Sequence, residues 1–153
     1  MDPIENIKNF ISNHNILVLG TSSNDQPHTC TVFYVTADAT TLYFKSSNDS
    51  IHASNLLVNN KIACALYDKE SSPFGEKQGI QILGVAERVN TKEEASTAVE
   101  LYINTFNSPK DKFYPLDQLL SDKAKSAMYK ISVHKVKMLD SINHIIPEQY
   151  LLI

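Results

Sequence analysis

Residues 42–57, LYFKSSNDSIHASNLL, constrain this chain more than any other stretch. Leu42, Tyr43 and Phe44 read as the end of a strand, Lys45 to Ser50 are small and polar, and residues 51–57 return to helical spacing. Asp49 or Ser50 can cap that helix, because its side-chain oxygen accepts from an otherwise unpaired amide of the first turn. A strand that passes through Lys-Ser-Ser into a capped helix gathers the parts of an anion site. The first-turn amides and the hydroxyls of Ser46, Ser47 and Ser50 can donate to phosphate oxygens, and Lys45 or His52 can supply positive charge. The same residues also suit an ordinary capped helix beyond an edge strand, with its hydroxyls facing water.

The elements on either side of that stretch are mostly strands. Asp2, Pro3 and Glu5 open a first helix with a capping box, and Ile4, Ile7, Phe10 and Ile11 fall on one face of it. Residues 16–21 form a first strand, whose continuous run Ile-Leu-Val-Leu predicts burial on both faces. After the turn SSNDQP comes a second strand over 28–36, and a further turn leads into 41–45, so that three strands arrive as a meander. Residues 61–67 and 79–89 are a fourth and a fifth strand, with Gly84 marking a bulge, a bend or a close backbone approach. Thr91 and Glu94 open the helix with the clearest apolar stripe, Ala95, Ala98, Val99, Tyr102, Ile103 and Phe106. A last strand covers 127–139, and the apolar tail HIIPEQYLLI is expected to dock on something, a second subunit being one candidate. Residues 1–153 read as a single α+β domain with six antiparallel strands and flanking helices. Periodicity by itself does not choose between an open sheet and a small barrel.

Composition excludes several classes of function. The 153 residues hold 14 Lys plus Arg against 17 Asp plus Glu, a net charge of −3 with Arg88 as the one arginine. Nucleic-acid binding that rests on displaced counterions needs a basic stripe, and none is present. The apolar runs are too short to span a membrane, and MDPIENIKNF is not a secretory leader, so a cytoplasmic setting is expected. Cys30 and Cys64 sit far apart in strand-like runs and read as buried thiols. The five histidines are scattered, and no metal-ligand spacing is found.

Three local patterns carry a family resemblance. They are the strand HTCTVFYV, the stretch LYFKSSNDSIHASNLL, and the long strand GIQILGVAERV with its internal glycine. In this order and spacing the chain resembles the FMN-binding split-barrel superfamily, typified by pyridoxamine 5′-phosphate oxidase, and looks like a small branch of it. The resemblance implies an antiparallel six-stranded split β-barrel with flanking helices, a homodimer, and FMN at the subunit interface. It implies that His28, Thr29, Cys30 and Thr31 run along the flavin, and that Lys45, Ser46, Ser47, Ser50 and His52 surround its phosphate. Ser50 and His52 stand where the family has Ser and Lys, and His28 stands near the place of a family Arg. Gln81 reads either as a contact to the flavin ring or ribityl chain or as an outward polar residue. Along HTCTVFYV, either Thr29, Thr31 and Phe33 face the ligand while Cys30 and Val32 enter the core, or the reverse. The substrate-binding basic residues of pyridoxamine phosphate oxidase have no counterpart near the C-terminus. The resemblance therefore implies a flavin-dependent oxidoreductase acting on another small substrate. Its alternative is a non-catalytic binding or stress-related protein that has lost tight FMN binding, or that takes haem or a deazaflavin instead. No catalytic acid, base or nucleophile stands out, as suits chemistry that belongs to a cofactor.

Overall fold

The computed structural model describes residues 2–145 and 150–153. The chain opens with α1 (Pro3–Asn13), capped by Asp2, whose carboxylate accepts from the Ile4 amide at 3.3 Å. It continues through β1 (Ile16–Ser23), β2 (Gln26–Phe33), β3 (Val35–Thr36), β4 (Thr41–Ser47), α2 (Ile51–Val58), β5 (Lys61–Tyr67) and β6 (Gln78–Arg88). It closes with α3 (Lys92–Phe106), the short α4 (Asp117–Leu120), β7 (Ser126–Asp140) and β8 (Leu151–Leu152).

The strands form one antiparallel sheet, eight-stranded among the described residues, in the order β2-β1-β5-β6-β7-β4-β3 with β8 paired to β7. The class is α+β as expected. The six expected strands are the long members, and β3 and β8 add two short ones. The meander is corrected in one respect. The second strand breaks at Tyr34, so that β2 pairs with β1 while β3 pairs with β4. Strands β2 and β3 lie at opposite ends of the sheet order yet are joined by one residue. A sheet whose two ends are linked so closely must curl, and the result is a half-barrel. Tyr34 sits at that link, fully buried, and its hydroxyl donates to the Ile11 carbonyl at 2.6 Å.

The inner face of the sheet holds the main core, which includes Leu17, Leu19, Leu42, Phe44, Ile62, Ile82, Ile131 and Val136 together with Ile7 and Ile11 of α1. A second cluster lies under α3, where Ala95, Ala98 and Val99 meet Val35, Tyr43, Val89, Phe113 and Met128. Burial of β1 on both faces is not observed. Ile16 and Val18 remain 48% and 40% exposed, because none of the described residues covers them on the outer face of β1. Gly84 marks a bulge as expected. The β6–β7 register shifts between Leu83 and Gly84, and a Cβ on Gly84 would meet the Ser132 carbonyl oxygen at 2.1 Å. The described part of the tail docks on its own chain, with Leu151 and Leu152 paired to Val136 and Lys135. Residues 146–149 of the tail lie outside the described residues.

Candidate functional site

The site is built at the turn from β4 into α2. Ser50 is the helix cap. Its Oγ accepts from the Ala53 amide at 3.1 Å and donates to the Ser47 carbonyl at 2.8 Å. Ser47 Oγ accepts from the Asp49 amide at 3.2 Å. Both hydroxyls are therefore occupied in shaping the turn. With Ala53 satisfied by the cap, the amides of Ile51 and His52 have no acceptor among the described residues. They lie at the helix end where partial positive charge concentrates.

Three side chains converge there from different elements. Ser46 follows Leu42 and Phe44 on the inner face of β4, and its Oγ hydrogen-bonds His52 Nε2. His52 is 8% exposed, and its ring lies 6.3 Å from that of Phe44, which stacks on Tyr129 at 5.2 Å. His28, on β2, sets its ring parallel to that of His52, with 6.4 Å between centroids and 8° between planes. Beside His28 in register is Thr21, whose hydroxyl accepts from Asn55 Nδ2 at 3.0 Å, and both of these residues are buried. A polar seam of Ser46, His52, His28, Thr21 and Asn55 thus runs between α2 and the curled sheet. Burial, and after it the neighbouring His28, lowers the His52 pKa below the ordinary imidazole value. Near neutral pH that ring is uncharged.

Comparison with known proteins places this arrangement. Residues 4–140 match the family model described as pyridoxamine 5′-phosphate oxidase. The chain belongs to that family. No curated protein matches it significantly. Among solved structures it is similar to a conserved hypothetical protein from Mycobacterium tuberculosis, at 22% identity and a TM-score of 0.72, over 99% of this chain and 92% of that one. It is also similar to a haem-binding protein from Mycobacterium smegmatis, at 17% identity and a TM-score of 0.77, over 99% of this chain and 58% of that one. A FAD-binding protein from Mesorhizobium loti aligns at 12% identity and a TM-score of 0.68, over 90% of this chain and 94% of that one. At these identities the likeness is one of fold: the split barrel.

In this member of the pyridoxamine 5′-phosphate oxidase family the other expected residues are distributed more widely. Lys45 lies on the opposite face of β4 from Ser46, because neighbours along a strand alternate. Its Nζ sits 5.2 Å from the centre of the Phe113 ring, toward the second cluster. Of the two arrangements open for β2, the structure adopts the one with Val32 buried and Cys30 half-buried inside, and Thr29, Thr31 and Phe33 outside. Cys30 and Cys64 flank Leu19 in register from either side, which separates them by roughly 10 Å, too far for a disulfide. Both thiols are free, and burial raises the pKa of Cys30 and, as the larger of two causes, pushes that of Cys64 up to about 12. Gln81 faces outward on β6 between Ala65 and Lys137, and the Tyr150 hydroxyl donates to it at 3.4 Å. It shares an outer row with Thr31, Val18 and Ala65 and does not reach the seam.

Sequence reasoning missed Thr21, Asn55 and the stack of Phe44 on Tyr129. Asn55 had a readable signal, being a lone amide three residues beyond His52 on a short, largely apolar helix. Thr21 and Tyr129 had none, since their roles depend on strand pairing. Tyr129 also steadies the turn from outside: its hydroxyl donates to Asn48 Oδ1 at 2.6 Å, and Asn48 Nδ2 donates to the Ala124 carbonyl at 2.7 Å. Arg88 closes the end of β6, donating to the Leu119 and Ser121 carbonyls at 3.0 and 2.7 Å.

Proposed function

We propose that the protein binds FMN, with the flavin phosphate held at the start of α2 by Ser46, His28, His52 and the amides of Ile51 and His52. The observation that carries this reading is the convergence of those donors, from three separate elements, on one helix end with free amides. Ser50 supports the site by shaping the turn. FMN, when bound, supplies electron and hydride transfer, and the protein's task is to bind and orient it. The activity this would serve is a flavin-dependent oxidation or reduction of a small molecule in the cytoplasm. The FAD-binding relative supports a flavin as the ligand.

The same reading makes the protein a homodimer with FMN between the subunits. Its support is the outer face of the sheet, where Ile16, Val18, Phe33 and Tyr67 are exposed around the small residues Gly20, Ala63 and Ala65. An exposed apolar face of this kind is what an obligate partner covers. The haem-binding relative favours a second reading in which haem takes the place of the flavin.

The visible spectrum of the purified protein separates the two chromophores. The colourless form is then titrated with FMN and with riboflavin by flavin fluorescence, and its size is measured by ultracentrifugation. Tight FMN binding, weaker for riboflavin and weakened by the Ser46→Ala/His52→Ala double variant, is the expected result. Equal binding of FMN and riboflavin, or a double variant that binds FMN like the parent, removes the phosphate site. A monomer that binds FMN fully removes the interfacial arrangement.

A further inference from the structure

We propose that this site captures its ligand together with protons: a phosphomonoester dianion settles in the seam as the histidine pair takes up protons from solvent, and it is released as the solution turns alkaline. This rests on the FMN reading above and concerns how that site is controlled.

The argument starts from a shortage of permanent charge. A phosphomonoester is a dianion above a second ionisation at about pH 6. Drawing it out of water requires compensating charge. The groups that face His52 offer little. From β4 come Ser46 and Phe44, and Tyr129 of β7 lies behind Phe44. From β2 come His28 and, two residues along the same face, the neutral thiol of Cys30. From β1 comes Thr21, engaged by Asn55. Helix α2 itself, IHASNLLV, carries no other ionisable residue, and Asp49 in the turn before it is exposed and negative. Lys45, the nearest lysine in sequence, stands on the far face of β4 over Phe113. The two imidazoles are therefore the titratable groups of the seam itself. Glu87 and Arg88 of β6 and Asp122, Lys123 and Lys125 line the cavity on the Ala53 and Tyr129 side of α2, with Arg88 engaged by the Leu119 and Ser121 carbonyls. Neither imidazole forms an ion pair with a carboxylate among the described residues.

In the empty site burial, and after it the neighbouring His28, disfavours a charge on His52. A dianion reverses both effects, because an opposite charge within a few ångströms favours the protonated ring. Each proton taken from solvent turns a ring nitrogen into a charge-assisted donor to a phosphate oxygen. The Ser46 hydroxyl is then free to turn from His52 to the phosphate. Linkage sets the consequence. The affinity falls about tenfold per pH unit for each proton bound with the ligand, over the range in which the bound rings are protonated and the free ones are not. A lysine at the same place would hold its charge throughout that range.

The test is a titration of the intact protein with FMN from about pH 5.5 to about pH 8.5, in buffers of differing ionisation enthalpy, with riboflavin as the control. The expected result is FMN affinity that peaks near pH 6 and drops above pH 7 by about tenfold per unit for each proton taken up, up to about a hundredfold for the pair, with measured proton uptake. Riboflavin affinity should stay flat. His52→Lys should flatten the FMN profile while keeping binding at high pH, and His52→Gln, a smaller change to the buried site, should leave weak binding with a shallower slope. FMN binding of equal strength at every pH, or a His52→Lys variant that keeps the parent's slope, overturns the proton coupling and leaves the flavin reading intact. Absence of FMN binding at every pH overturns both.

Discussion

The two faces of β4 carry two polar devices of opposite character. On the outer side Tyr43 and Lys45 turn toward α3 and the second cluster. There the Tyr43 hydroxyl donates to Glu94 at 3.0 Å and Lys130 donates to the same carboxylate at 2.9 Å, with Glu87 at 3.5 Å from Lys130. Burial, and then the bond to Glu94, push the Tyr43 phenol up to about 12. On the inner side Ser46 meets His52 and His28, with two free amides and no permanent cation. In the first device Glu94 is matched by Lys130 and Tyr43, Lys45 lies over the Phe113 ring, and the work of the whole is to hold α3 on the sheet. The second has donors left over and an incomplete balance of charge, which is the condition for binding something. One strand thus builds structure with the residues of one parity and a candidate site with those of the other.

Four measurements sharpen or break that contrast. Phe44→Ala removes the ring that underlies the site and stacks on Tyr129, and its loss should cost about 3–5 kcal/mol in urea unfolding. A cost below 1 kcal/mol would mean that the seam does not rest on the core. Glu94→Ala leaves Tyr43 and Lys130 without their acceptor and should cost about 2 kcal/mol with no change in FMN affinity. A marked loss of FMN affinity would dissolve the distinction between the two faces. Ser50→Ala should cost about 1 kcal/mol through the lost cap, whereas Ser46→Ala should change stability less and lower FMN affinity about tenfold or more. The reverse ranking would exchange the roles assigned to the two serines.

The smallest effect is the pH dependence of the free protein. The folded pKa of His52 lies below its unfolded value, so the unfolded chain binds more protons between the two. This contribution is present above the ordinary imidazole value of about 6.5 and is lost as pH falls through the folded pKa. The melting temperature should therefore decline below about pH 6.5, and less so in His52→Gln. Saturating FMN should oppose that decline, since the ligand favours the protonated rings. A parent and a His52→Gln variant with identical profiles would show that His52 carries no such linkage.

How much of this was legible in the chain varies by residue. The capping residues Asp2, Ser50 and Thr91 act locally, on amides two or three positions ahead, and each does so in the structure. Gly84 showed itself as an interruption in an apolar strand, although the carbonyl that excludes a side chain there belongs to Ser132 on β7. The exposure of Ile16 and Val18 was misread because a continuous apolar run records that both faces avoid water without saying what covers them. Lys45 was grouped with Ser46 by adjacency, whereas the strand's twofold alternation sends the two to opposite faces.

By itself, the sequence determined the features governed by short range: where the helices start, which strands are long, where the bulge falls, and that hydroxyls and a histidine gather after Phe44. The tertiary structure decided that His28, distant from His52 in the chain, lies parallel to it, that Thr21 meets Asn55, and that Lys45 is absent from the seam. The physical reason is the break at Tyr34. It sends β2 and β3 to opposite ends of one sheet, the sheet curls to join them, and only that curl brings the inner face of β2 up to the start of α2.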